Sequence, residues 1–180
     1  MQRLAVALVL VLMGVAACGS PDRPTSPAKP STPVTPPAAH STAPTKPTIS
    51  SLAAHPCQAL THEDTVRLNV VIQGEEVPDP SGKTCEWGAL GGLVGFVAYP
   101  TTDKTRDQDL GHLTVSTIAG HRALLGQATH GRDTGYLIFV MTGPGQSIKL
   151  DAVSFGPGAP GPDALTVGKN FAAAIVRRLS

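Results

Sequence analysis

An α+β domain is the fold class this sequence predicts: an antiparallel sheet of five to seven strands, covered by an N-terminal and a C-terminal helix, with one disulfide. Three observations carry that expectation. Short apolar-polar runs separated by Gly- and Pro-bearing turns fill the chain from Val70 to Phe155. Turns of 3–5 residues join several of these runs, too short for the crossovers that parallel pairing needs. Val167, Phe171, Ile175 and Leu179 recur every fourth residue, the stripe of a helix that needs a sheet to cover.

The chain opens with Met1-Gln2-Arg3, a short basic start, followed by the twelve uncharged residues Leu4 to Val15. As a helix that stretch spans about 18 Å against a ~30 Å hydrocarbon core, so residues 1–17 read as a secretory leader. Val15-Ala16-Ala17-Cys18 resembles the bacterial lipobox. The resemblance implies a diacylglycerol thioether on Cys18, which becomes the mature N-terminus, and acyl chains that hold the protein to membrane lipid. The expected location is the extracytoplasmic side of the cell membrane.

Residues 18–54 then read as the lipidated cysteine and a disordered tether. Gly19–Ser51 contains nine prolines, with Thr and Ser filling most gaps. Proline lacks an amide donor and fixes φ, and small polar side chains bury too little to offset ordering. The expectation is an extended segment, partly polyproline II, that adds nothing to the stability of a domain spanning 55–180. That leaves about 126 residues, one ordinary domain and one core.

Within the domain, Cys57 and Cys85 are the cysteines left after the lipid site. An oxidising exterior permits their one intramolecular pairing, with free thiols or metal ligands as the alternatives. Thr61-His62-Glu63-Asp64 opens a short helix: Thr61 caps, Asp64 reaches back, and Leu60 with Thr65 stands at the staple positions. Strands follow at Val70–Ile72, ended by Gly74, and at Cys85–Ala89, Leu93–Tyr99, Leu113–Ile118 and a short Leu124–Leu125 after a turn at Gly120–Ala123. Tyr136–Met141, the most apolar, is expected at the centre of the sheet. Ser147–Phe155 places Ile148, Leu150, Ala152 and Ser154 on one face. After Gly156–Pro162, Asp163 or Thr166 caps the last helix, and Arg177 and Arg178 suit its C-terminal dipole.

Charge excludes some partners. Setting aside Arg3, Arg23, Lys29, Lys46 and Asp22 leaves 10 basic and 12 acidic side chains, which gives no phosphate-neutralising face and argues against nucleic acid. His112, His121 and His130 are nine apart, an interval that changes face on a strand and does not imply a shared metal. His55 and His62 flank Cys57, but a zinc site there would forfeit the bridge. Ser116, His121 and Asp133 could be named as a triad, yet no Gly-x-Ser-x-Gly elbow exposes the serine. Asp103, Asp107 and Asp109 lack the glycine and distal glutamate of a calcium loop and read as a solvated loop. Glycines 88, 91, 92 and 95 read as strand-edge or bulge positions, and Trp87 as packing over the bridge. No catalytic, metal or cofactor-binding residue is therefore assigned, and the protein is not expected to be an enzyme.

His55-Pro56-Cys57-Gln58-Ala59-Leu60-Thr61, then Cys85-Glu86-Trp87 and the turn Gly120-His121-Arg122-Ala123, are similar to a family of uncharacterised actinobacterial cell-surface lipoproteins. Its pattern is a Cys-x-Leu-Leu-Thr start, a Cys-x-Trp strand and a Pro/Thr tether after the lipobox. Ala59 stands where leucine is usual, and a second cysteine pair is absent, with Ile138 and Ala173 or Ala174 in its place. The resemblance implies a fold related to small secreted α+β domains of the photosystem-accessory and nuclear-transport-factor-binding type, which bind or scaffold rather than catalyse. It carries over no site. The functional expectation is a membrane-anchored lipoprotein, monomeric, that binds or scaffolds an envelope protein or cell-wall component. A carrier of a small hydrophobic ligand is the alternative, and a cell-envelope hydrolase a lesser one.

Overall fold

The computed structural model describes residues 46–80, 82–106, 113–130, 133–156 and 161–180. Cys18 and the leader lie outside them, as does the tether up to residue 45. The domain begins earlier than residue 55, with helix α1 (Ile49–Ala54) inside the stretch assigned to the tether. Thr48 Oγ1 accepts from the Ser51 amide at 3.1 Å, and Ser51 Oγ accepts from the Thr48 amide at 3.0 Å. Six residues cannot hold a helix by themselves. This one is held by tertiary packing, with Leu52 fully buried and Ile49 nearly so. A cut at Ser51 would therefore sever a packed element.

The chain then makes a 3-10 turn at Pro56–Ala59. It carries Cys57, which is bridged to Cys85 across a Cα separation of 5.0 Å. Helix α2 (His62–Arg67) has the expected capping box between Thr61 and Asp64, and Leu60 and Thr65 are both buried at the staple positions.

Seven strands follow: β1 (Val70–Asp79), β2 (Gly82–Ala89), β3 (Gly92–Tyr99), β4 (Leu113–Ile118), β5 (His121–His130), β6 (Asp133–Gly143) and β7 (Gln146–Ser154). They form one antiparallel sheet in the order β1-β2-β3-β7-β6-β5-β4, followed by helix α3 (Ala164–Leu179). Two meanders thus meet at the β3–β7 pair, and the β3–β4 connection crosses to the far edge.

Three assignments change. Gly74 does not end β1: the strand runs on through register shifts between Val70 and Glu75. A Cβ at Gly74 would stand 2.4 Å from Trp87 Nε1 and 2.7 Å from Cys85 Sγ, so the glycine makes room for the bridge and the indole. Strand β5 begins at His121, directly after a two-residue turn, and is ten residues long. The centre of the sheet is β7, with β6 beside it.

The core fills one side of the sheet. Ile148, Leu150 and Ala152 on β7, Val94 and Phe96 on β3, and Ile138 and Val140 on β6 are buried there under α1 and α3. Both helices cover this one face, but α1 packs on β2 and β3, while α2 sits at the start of β1. Asp163 caps α3, accepting from the Thr166 amide at 3.0 Å and from its hydroxyl at 2.8 Å. Val167, Phe171 and Ile175 point inward, and Trp87 lies 5.9 Å from Phe171 and 6.2 Å from Phe96 between ring centroids. Helix α3 approaches so closely that a Cβ at Gly168 would lie 2.6 Å from Ile138 Cδ1 and 2.9 Å from Ala152 Cβ.

Thr102 and Lys104, in the first part of the β3–β4 connection, lie against the other face. Ser147, wholly buried on that face, donates to the Thr102 carbonyl and accepts from the Lys104 amide, both at 2.9 Å. Val97, Phe139 and Leu124 are buried on the same side.

Candidate functional site

The residues named from sequence are dispersed. His121 opens β5 and His130 closes it, nine residues apart and so about 30 Å. His112 is outside the described residues. The His121 ring lies with Nδ1 3.0 Å from the Met141 carbonyl and Nε2 3.3 Å from Ser180 Oγ. Because a carbonyl only accepts, Nδ1 carries the proton, and the ring ties α3 to the sheet. Ser116 pairs with Ala123 near that end, whereas Asp133 pairs with His130 at the other. The three positions named for a triad are thus split between the two ends of the strands.

Asp103, expected in a solvated loop, is instead buried. Its carboxylate accepts from the Thr105 amide at 3.0 Å and pairs with Arg106 at 3.2 Å, which stiffens the crossover; Asp107 and Asp109 lie outside the described residues. Among the described residues no three His, Cys, Asp or Glu side chains gather as metal ligands. Trp87 packs in the core beside the bridge, as expected. Ile138 and Ala174, at positions of the missing second cysteine pair, are both core residues on facing elements.

What the fold builds on its surface is a run of clefts around the C-terminal half of α3. One cleft of about 240 Å3 lies between α2 and α3, lined by Arg67, Leu68, Asn170 and Arg177. It continues toward Asn69, Leu90 and Pro162 over a floor of Val167 and Phe171. A second, of about 310 Å3, is lined by Lys46, Thr48, Ser51, Gln58 and Arg178. It adjoins a hollow of about 370 Å3 reaching Thr142, Gln146 and Leu179.

Local sequence places each basic group. Arg67 is in the last turn of α2 and pairs with Asp64. Arg177 and Arg178 end α3, and Arg178 donates to the Gln58 carbonyl at 2.6 Å, tying α3 to the 3-10 turn. Burial pushes the Asp64 carboxyl up. The Thr61 amide and hydroxyl, with the Arg67 and Arg178 guanidinium groups, outweigh it and hold the group below its ordinary 3.8. The site is thus cationic at its rim and apolar at its floor. Sequence reasoning found Arg177 and Arg178 only as dipole partners and left Lys46 in the tether. Thr48, with Ile49 and Leu52 three apart, was the signal that could have brought Lys46 to the domain.

No curated protein and no solved structure matches the chain. A family model does match, over residues 13–170, and covers Val15–Cys18, the Pro-rich segment and nearly all of the domain. The chain belongs to the family described as "Protein of unknown function (DUF3558)".

Proposed function

We propose that this is a membrane-anchored extracytoplasmic lipoprotein, acylated on Cys18, whose domain binds or scaffolds another envelope component. The observation that carries the binding half is where space lies. Between helices and sheet it is filled: Trp87, Phe96, Phe171, Leu52, Ile138 and Leu150 are wholly or almost wholly buried against one another. The clefts are outside, open and rimmed by charge. A carrier of hydrophobic ligands would need an enclosed apolar cavity, so the packing favours surface recognition. The anchoring half is supported by the lipobox resemblance, by a family match that takes in Val15–Cys18, and by a disulfide suited to an oxidising exterior.

Two measurements test it. The mass of the N-terminal peptide of the chain made in a bacterium should show lipid on Cys18, and Cys18→Ser should lose it and leave the detergent phase. Unchanged partitioning of that variant would refute anchoring. Quantitative cross-linking in intact cells should join the domain reproducibly to one envelope component. A chain recovered only as unlinked monomer would refute scaffolding.

A further inference from the structure

Among the described residues, cations gather at one end of the strands. Lys46 lines both the hollow beside Thr142 and Gln146, where β6 turns into β7, and the adjoining cleft with Arg178, and Arg177 stands in the same last turn of α3, on the cleft shared with Arg67. Arg122, beside His121, starts β5 at the same end. Of the acids, Asp64 pairs with Arg67, Asp103 with Arg106 and Glu76 with Lys83, and Asp79 closes β1 at this same end. Asp133, where β6 begins, and Asp163, ahead of α3, mark the opposite end.

The polypeptide enters the domain at the basic end. Helix α1 packs against β2 and β3, so residue 46 is fixed beside Arg178 and Gln146. Residues 19–45, read as tether from their composition, therefore join the domain where its cations are concentrated.

We propose that this end, built from Lys46, Arg177 and Arg178, docks the domain onto an anionic phospholipid surface. The inference rests on the acylation of Cys18 argued above, which brings that surface within reach. Each basic side chain at an anionic leaflet strengthens binding about fivefold, so three give about a hundredfold. Affinity of that order would be negligible in solution. It suffices for a domain held at roughly millimolar effective concentration by a 27-residue tether. Phospholipid is the favoured anion because it lies at the tether's other end. Charge also makes the docking reversible, since exposed pairs are screened over about 8 Å at physiological ionic strength.

The test uses the full chain reconstituted in vesicles, with Trp87, its only tryptophan, as donor and a dansyl lipid as acceptor. Transfer should be greater in phosphatidylcholine vesicles containing phosphatidylglycerol than in phosphatidylcholine alone, and 0.5 M salt should abolish the difference. Lys46→Glu with Arg177→Glu, both exposed, should abolish it too. Thr134→Glu, exposed at the opposite end of β6, should preserve it. Equal transfer in the two vesicle types overturns the proposal, as does a charge-dependent gain that survives in the double variant. Lipidation is read separately from the N-terminal peptide mass. A chain whose mass shows no acyl group fails the anchoring reading, whereas an acylated chain with equal transfer in the two vesicle types fails this one alone.

Discussion

Leu52 decides where the folded protein begins. It is fully buried, and with Ile49 it forms the apolar side of α1 against β2 and β3. Leu52→Ala removes a burial of about 1.5–3 kcal/mol and leaves a cavity that a capped and anchored helix closes only in part. A loss of about 3 kcal/mol is expected. For a domain of about 135 residues, each kcal/mol moves the midpoint by roughly 4 °C, so the fall should be near 12 °C. Ser50→Ala, exposed on the same helix, is the control and should stay within about 2 °C. The assay is thermal unfolding followed by circular dichroism, on full chains under oxidising conditions. A Leu52→Ala midpoint matching the control would refute the reasoning, because α1 would then lie outside the cooperative unit.

Three further outcomes are expected. Replacing Cys57 and Cys85 by alanine should cost about 3–4 kcal/mol, since the bridge closes a separation of 28 residues; calorimetry of the variant beside the oxidised protein measures it. Gly168→Ala should destabilise by about 1–2 kcal/mol in denaturant titration, although alanine is the better helix former by about 1 kcal/mol, because its Cβ would collide with Ala152. Asp163 is held low by the Thr166 amide and then its hydroxyl, and Asp64 by the net balance given above. Both contribute stability that is present above the unfolded carboxyl value of 3.8 and is lost as pH falls through the lower folded values. Acid titrations of Asp64→Asn and Asp163→Asn should therefore show a shallower loss below about pH 4 than the parent.

Legibility in the sequence followed local chemistry. The Thr61 box, the α3 stripe and the Cys57–Cys85 pairing rest on local spacing or on elimination, and all three stand in the structure, which also chooses Asp163 over Thr166 as the α3 cap. Errors arose where tertiary context overrides the local signal. Strand β1 is an edge, mostly exposed, so it shows no clean alternation and Gly74 looked like its end. Centrality was read from apolar content, but β6 is apolar because its far face also carries the buried Phe139. Strand β7 sits at the centre while presenting Ser147, Lys149 and Asp151 to that face. Hydropathy cannot order strands when a crossover covers the second face. The basic end was illegible for a related reason: Lys46 and Arg178 are 132 positions apart in sequence and meet only through the packing of α1 and α3.

The position of α1 also bears on the anchoring proposed through Cys18. With the tether ending at residue 45, its 27 residues after Cys18 reach about 84 Å if fully extended, against roughly 100 Å for residues 19–51. Its average span is shorter, because persistence in Pro-rich chains lasts only several residues. Reach alone would leave the domain free to present any side to the membrane. A fixed point of entry at Lys46 biases the search, since conformations with that end toward the bilayer need the least chain. Charge at the same end adds to the bias. In the docked state proposed above, a partner binding the opposite end would find it directed outward, whereas one competing for the Arg177–Arg178 clefts would have to displace lipid. Partner binding should therefore be insensitive to anionic lipid in the first case and inhibited by it in the second. Comparing partner capture on zwitterionic and anionic vesicles separates the two, and inhibition by anionic lipid would place the partner on the basic clefts.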